Sequence, residues 1–361
     1  MDVDAKIQLA SRGASEIVTK EDLRHVFEGS ENPRGYIGVE PSGLFHVGWM
    51  IWAQKLIDLI NAGVHMVVLE ATWHAAINDK LGGDLNNIRK CAKYLEHCLF
   101  ALNVEPGKVE FLTAESLMDN LDYWELVIRS AKNMTLSRVK RAMTILGRKA
   151  SEAQLDFSKC IYPSLQVSDI FALKLDICLG GMDQRRAHIL AREIAPKLGF
   201  KKPVAIHTPL LMGLSGARRM ETVGKSREEI EINFKMSKSE PETAIFIHDS
   251  PEEVDRKIKN AYCPPREVKY NPILDINQKI LFQRLDKLLV DRPAKYGGPI
   301  EFHSFEELAK AYAENKVHPL DLKNATSEAL ISILKRVREY FQENREAARL
   351  LEEVKQMSIT R

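Results

Sequence analysis

Paired cysteines are missing from this chain. Of its 361 residues only five are cysteine: Cys91, Cys98, Cys160, Cys178 and Cys263. The number is odd and no two stand as CxxC. That points away from a disulfide framework and a zinc ligand set, and toward reduced thiols used as small apolar residues. Long apolar runs are missing too. Charged or polar residues interrupt each hydrophobic stretch well short of membrane-spanning length, and Met1 to Gly13 carries no signal-peptide apolar stretch. The expectation is a soluble, cytoplasmic protein with no membrane partner and no resident metal. Neither sign of charge is in excess, with Lys+Arg 52 against Asp+Glu 50. Net charge therefore neither requires nor excludes a nucleic-acid partner, and local patches must decide. There is no internal repeat and no low-complexity tract.

What is present is enough apolar material, 45% of the residues, to bury a large core. The length suggests two domains with an added lobe. Residues 1–33 read as a helical preface. Gly35 to Glu40 reads as a strand that enters a turn at Pro41-Ser42-Gly43, and helical spacing follows from His46 to a stop at Asn61-Ala62-Gly63. Val64 to Leu69 is a continuous apolar strand, as expected of one buried on both faces. Asp84 is placed to cap a helix running to Leu102, and Val109 to Leu112 is a further strand. Residues 114–160 read as a helical insertion rich in basic residues, namely Arg129, Lys132, Arg138, Lys140, Arg141, Arg148 and Lys149. The sheet resumes at Leu175 to Cys178, a helix runs from Asp183 to Leu198, and Val204 to Leu211 is the last apolar run. Residues 213–245 read as a mobile polar loop, and from Pro251 onward the pattern is helical apart from loops around Pro264, Pro293–Pro299 and Pro319.

This alternation predicts an α/β chain: a Rossmann-like, doubly wound parallel sheet with a helical insertion, followed by an all-α C-terminal domain. The expected division is an N-terminal helical segment over 1–33, a catalytic domain over 34–213, a loop and linker over 214–248, and a helical domain over 249–361.

Two motifs carry chemistry. In Pro41-Ser42-Gly43-Leu44-Phe45-His46-Val47-Gly48 a strand ends, a glycine-containing turn follows and a helix begins. A helix N-terminus offers unpaired N–H groups to phosphate. Gly43 and Gly48 lack a Cβ and let a ligand ring approach the backbone, and His46 can donate to phosphate oxygens. A capped helix with a packed histidine is the plainer alternative. In Lys235-Met236-Ser237-Lys238-Ser239, two lysines and two hydroxyls sit in a polar loop. Such a loop can close over a triphosphate and neutralise charge building on a leaving group; alone it reads equally as a solvated charged loop.

Together the motifs resemble the HIGH and KMSKS signatures of the class I aminoacyl-tRNA synthetases. KMSKS matches letter for letter. HIGH appears as His46-Val47-Gly48-Trp49, with Trp49 where the family has its second histidine. Three further stretches, Tyr36 to Gly43 (YIGVEPSG), Tyr162 to Asp169 (YPSLQVSD) and Gly180 to Arg185 (GGMDQR), resemble the archaeal and eukaryotic-type tyrosyl-tRNA synthetases. This resemblance extends over residues 34–330. The stretch Ser215–Phe234 is longer than the family pattern.

The resemblance implies that Tyr36 and Asp169 hydrogen-bond a substrate phenol and that Tyr162, Gln166 and Gln184 hold its α-amino group. Glu40 and His74 match positions at the same pocket, although a packed core histidine explains His74 as well. The residues agree with this independently: Tyr162, Gln166 and Asp169 fall at i, i+4 and i+7, on one helical face. Phenylalanine in that pocket would leave an acid and a phenol unpaired, which is costly. The resemblance further implies ATP, with Mg²⁺ on its phosphates, bound by Gly43, His46, Gly48, Lys235, Met236, Ser237, Lys238 and Ser239. His46, Lys235 and Lys238 would do the charge work of catalysis. It implies tRNA(Tyr) as partner, met by Arg141 and Arg185 at the acceptor stem and by Tyr296 and Asp321 at the anticodon, within a homodimer joined through the 114–160 insertion. For either arginine, plain surface charge is the alternative. Two rival functions remain: a tryptophan–tRNA ligase of the same fold, and a catalytically silent RNA-binding paralogue. A small-molecule nucleotidyltransferase sharing the nucleotide motif fits less well with the helical C-terminal region.

Overall fold

The apolar runs become a six-stranded sheet in a computed structural model that describes residues 1–142, 156–217, 221 and 223–358. In chain order the strands are β1 (Glu16–Val18), β2 (Arg34–Val39), β3 (His65–Glu70), β4 (Val109–Thr113), β5 (Ile177–Gly181) and β6 (Val204–Thr208). They lie in the order β1-β6-β5-β2-β3-β4. β2 pairs in parallel with β3 and β5, β3 with β4, and β5 with β6. β1 runs antiparallel along β6. Every residue of β6 is buried, and so is every residue of β3 after His65. Unbroken apolar runs of this kind suit strands covered on both faces by helices.

The strand order reverses at β2, with β3 and β4 on one side and β5 and β6 on the other. In a doubly wound sheet this is where a crevice opens beyond the carboxyl ends of the strands. Glu40 directly follows β2, His74 lies in the helix Thr72–Ile77 just after β3, and Gln184 ends the 3₁₀ turn Met182–Gln184 after β5. The topology therefore gathers chemistry-bearing residues that are far apart in the chain.

Several elements match the sequence reading closely. Asp84 caps Leu85–Ala101, accepting from the Asn86 and Asn87 amides at 2.8 and 3.1 Å. Others differ for identifiable reasons. Residues 1–33 contain two helices, Val3–Ser11 and Lys20–Gly29, but the β-branched pair Ile17-Val18 makes β1 a strand covering the edge of β6. The polar stretch after residue 213 contains the helix Arg227–Asn233, started by a capping box between Ser226 and Glu229. The helical C-terminal region also holds a pair of antiparallel strands, Leu288–Val290 and Ile300–Phe302. At three residues each they are too short to show alternation. In the predicted insertion, Ala114–Met118, Leu121–Lys132 and Leu136–Ala142 are helical. Arg148 and Lys149 lie outside the described residues.

The chain divides into two compact units. One comprises Met1–Gly43, Trp52–Pro209 and Arg349–Arg361, and includes the sheet; the other comprises Leu44–Ile51 and Leu210–Ala348. The second unit is mainly helical, with Pro251–Asn260, Phe305–Ala313 and the long Pro319–Glu343 as its principal helices. Among the described residues no helix is long and apolar enough to cross a membrane.

Candidate active site

In the first unit, the helix Phe157–Ala172 carries three of the residues expected to meet the substrate. Asp156 caps it, accepting from the Lys159 amide. Tyr162, Gln166 and Asp169 leave it on one face, as their spacing requires. Asp169 is only 2% exposed, so its carboxylate lies in the interior. Tyr123 donates its hydroxyl proton to Asp169 Oδ1 at 2.7 Å. His74 Nε2 lies 3.1 Å from Asp169 Oδ2, close enough for an ion pair although off the line of a straight hydrogen bond. Burial pushes the His74 imidazole toward its neutral form, but Asp169 and Glu40 outweigh burial and raise its affinity for a proton. Tyr36, in β2, is 1% exposed. Burial, with Cys178 and Asp169 adding to it, lifts its phenol well above the usual tyrosine range, so it stays a neutral hydroxyl.

The rest of the pocket set is tied together around the same helix. Tyr162 donates to Glu40 Oε1 at 2.7 Å, and the Asn78 amide donates to Glu40 Oε2 at 3.1 Å. The His74 ring packs edge-on against Tyr162 with centroids 5.1 Å apart. Gln166 donates to Gln184 Oε1 at 2.9 Å. The remaining oxygen of Gln166 is buried without a hydrogen-bond partner. A buried acceptor of this kind is costly unless a ligand donor satisfies it, and an ammonium group is such a donor.

Two participants escaped the sequence reading. Tyr123 lies on the helix Leu121–Lys132, whose buried residues Tyr123, Leu126, Val127 and Ser130 share one face. That periodicity marks it as inward-facing, but nothing local names its partner 46 positions away. Asn78 carries no motif signal at all.

The second unit holds the lysine loop and the first motif from Leu44 onward. His46 precedes the 3₁₀ turn Val47–Trp49, from which the helix Met50–Asn61 continues. The turn is sewn to the segment after the lysine loop: Val47 N–H donates to Ile245 O at 2.8 Å, and Ile247 N–H to Phe45 O at 3.0 Å. Lys235 and Met212 form an antiparallel bridge, and Met236 N–H donates to Leu211 O at 2.7 Å. Met236 is the buried anchor of the loop. Ser237 and Ser239 pair through their hydroxyls at 2.9 Å.

His46 is buried, and its Nδ1 has no hydrogen-bond partner. Burial first, then the positive charges of Lys238 and Lys235, hold its proton affinity well below the usual histidine range. A neutral imidazole facing two ammonium groups is an arrangement that an anion would relieve. Gly48 is required here, because a Cβ would stand 2.9 Å from His46 Nδ1 and 3.1 Å from Leu211 Cβ. Gly43, in the first unit, is needed for its backbone: its φ of 112° is in the region that favours glycine.

Of the four residues expected to face nucleic acid, Arg141 and Arg185 belong to the first unit and Tyr296 and Asp321 to the second. Arg185 is bound to Glu16 by three hydrogen bonds of 2.8 to 3.1 Å. Glu16 also meets His207 Nδ1 at 2.9 Å, and His207 stacks on His188 with their ring nitrogens 3.1 Å apart. Arg141 is exposed and reaches the carbonyl and hydroxyl of Ser137 at 3.4 Å. Tyr296 is 64% exposed, with Lys295 Nζ over its ring. Asp321 stands in the first turn of Pro319–Glu343.

Comparison with known proteins bears on this arrangement. A sequence profile described as tRNA synthetases class I (W and Y) matches residues 29–234 and 232–335. The chain is similar to a tyrosine–tRNA ligase of Sulfolobus acidocaldarius, with 52% identity over 362 residues covering 100% of both chains. It is also similar in structure to a tyrosyl-tRNA synthetase from Aeropyrum pernix, with TM-score 0.86 and 46% identity over 98% of this chain and 99% of that one. Likeness to a tyrosyl-tRNA synthetase from Pyrococcus horikoshii complexed with L-tyrosine reaches TM-score 0.91 and 43% identity, over 98% and 100% of the two chains.

Proposed function

Because the chain belongs to the class I tRNA synthetase family of tryptophan and tyrosine, we infer that it is a tyrosine–tRNA ligase, an ATP-dependent aminoacyl-tRNA synthetase. It activates L-tyrosine with ATP to tyrosyl-adenylate and pyrophosphate, then transfers tyrosine to the 3′ end of tRNA(Tyr). The observation that carries the choice of tyrosine is the buried Asp169 carboxylate with Tyr36 among its neighbours. A phenolic substrate offers the donor this acceptor needs and the acceptor that the Tyr36 hydroxyl needs. Phenylalanine offers neither, leaving the Tyr36 hydroxyl without that acceptor and the Asp169 carboxylate with Tyr123 as its donor and no second one from the substrate.

We assign the roles as follows. Tyr36 and Asp169 grip the phenol, with His74 beside Asp169. Tyr162, Gln166 and Gln184 receive the α-amino group, and Glu40 holds Tyr162 in place. Gly43, His46 and Gly48, with the loop Lys235 to Ser239, take ATP. The tyrosine carboxylate is already ionised at neutral pH, so its attack on the α-phosphorus needs no general base. Pyrophosphate leaves as the P–O bond breaks, and His46, Lys235 and Lys238 stabilise the charge that collects on it. Mg²⁺ accompanying ATP would add to the charge neutralisation that His46, Lys235 and Lys238 supply. The tRNA 3′ hydroxyl then attacks the adenylate carbonyl and AMP leaves.

Arg141 and Arg185 are assigned to the acceptor stem. Tyr296 suits stacking on an unstacked anticodon base, and Asp321 suits a base edge bearing N–H donors; the region 249–361 is the proposed anticodon-binding part. The enzyme works in the cytoplasm as a homodimer. Support for the dimer comes from Leu121, Trp124 and Ile128, exposed by 82%, 42% and 67% along one face of their helix.

Pyrophosphate exchange measured with each of the twenty amino acids tests the function: exchange is expected with tyrosine, and exchange driven by tryptophan instead would overturn it. The double substitution Lys235→Ala/Lys238→Ala is expected to abolish tyrosine-dependent exchange; unchanged exchange would remove both lysines from the mechanism.

A further inference from the structure

We propose that Trp49 is a positioning residue for Lys238, its indole face holding the ammonium group that the proposed function sets on the phosphates. Lys238 Nζ stands 3.6 Å from the centroid of the Trp49 ring. That is well within cation–π range, and tryptophan is the strongest aromatic partner for a cation. Lys238 is only 7% exposed, so its ammonium has lost most of its water and needs a replacement environment. An indole face supplies one without a counter-charge.

Trp49 is itself held. Phe45 packs edge-on against it at 5.2 Å, and the His46 ring lies 5.5 Å away, so the indole bridges the histidine and the lysine of the two motifs. Phe45 and His46 are fixed in turn by backbone pairing with Phe246 and Ile247. This gives the departure at position 49 a physical meaning. A histidine there presents a smaller ring, and when protonated it repels the lysine. The loop of this chain is set to an aromatic face instead.

The inference rests on the proposed role of Lys238 in adenylate formation, and the test separates the two. Tyrosine-dependent pyrophosphate exchange is measured on the full chain for Trp49→Leu, Trp49→Phe, Lys238→Met and Trp49→Leu/Lys238→Met, with circular dichroism to confirm folding. Trp49→Leu is expected to lower the exchange kcat by about 5- to 30-fold and to leave the KM for tyrosine unchanged. Trp49→Phe keeps an aromatic face and recovers most of the loss. In the Lys238→Met background, Trp49→Leu costs little more, because nothing is left to hold. Losses that multiply independently, or a Phe variant as impaired as the Leu variant, would overturn the inference while leaving the role of Lys238 standing. Exchange unaffected by Lys238→Met would remove that role and the inference with it. Should Trp49→Leu fail to fold, the cycle is run with Trp49→Phe, whose smaller loss is expected to vanish in the Lys238→Met background, and a loss that persists there overturns the inference.

Discussion

Asp169 shows how one residue comes to depend on partners that its sequence neighbours do not supply. Its carboxylate is buried, and the Tyr123 hydroxyl at 2.7 Å is a donor it cannot replace with water. Tyr123→Phe is therefore expected to cost about 1–3 kcal/mol of stability and to raise the KM for tyrosine, because the acceptor loses a tether. Chemical denaturation and exchange kinetics check the two effects, and a variant with unchanged KM would confine Tyr123 to a structural part. Glu70 makes a second case. It is 1% exposed, its Oε1 has no hydrogen-bond partner, and burial together with the nearby Glu96 pushes its carboxyl up to about 8 from an ordinary 4.5. Between those values the folded chain holds a proton that the unfolded chain releases, so stability falls as pH rises through that window. Glu70→Gln is neutral throughout. Its gain in Tm over the parent chain is expected to be larger at pH 8 than at pH 5, and parallel profiles would refute the shift.

At the scale of elements, two short pieces of backbone do the positioning. The helix Phe157–Ala172 presents three pocket residues at once, and Asp156 starts it by accepting from the Lys159 amide while also pairing with the Lys159 side chain. Asp156→Ala is expected to cost about 1 kcal/mol, as lost caps do, measured as a lower denaturation midpoint with an unchanged slope. The turn Val47–Trp49 is the other piece. There a Cβ on residue 48 would press on His46 Nδ1 at 2.9 Å. Gly48→Ala is expected to reduce pyrophosphate exchange by an order of magnitude or more, about 1.4 kcal/mol at least. Tyrosine binding, read by calorimetry, should be retained, since the pocket residues belong to the other unit. Loss of tyrosine binding in that variant would mean that the turn serves the pocket as well.

For the whole molecule, the helix Leu121–Lys132 faces two ways. Its inner face carries Tyr123 to Asp169, and its outer face exposes Leu121, Trp124 and Ile128. On the proposed homodimer, Ile128→Asp places a charge in the apolar contact and is expected to yield a monomer in sedimentation velocity. A sedimentation profile identical to the parent would exclude this face from the interface. Because the same helix tethers Asp169, the monomeric variant is also expected to show a raised KM for tyrosine.

Much of the catalytic fold was open to reading from the chain alone. Unbroken apolar runs announce buried parallel strands, a capping aspartate announces a helix, and the i, i+4, i+7 spacing of Tyr162, Gln166 and Asp169 announces a shared face. These signals work because neighbouring residues set them. The two motifs likewise carried, in residue type and turn geometry, the proposal that they meet phosphate. What only the tertiary structure decided lies at long range: that Ile17-Val18 adds a strand along β6, that Tyr123 and His74 converge on Asp169, and that Lys238 rests on Trp49. Local periodicity says which way a side chain points. Chain topology then decides what it meets there, because contacts between distant segments form only when the sheet order and its crossovers bring them together.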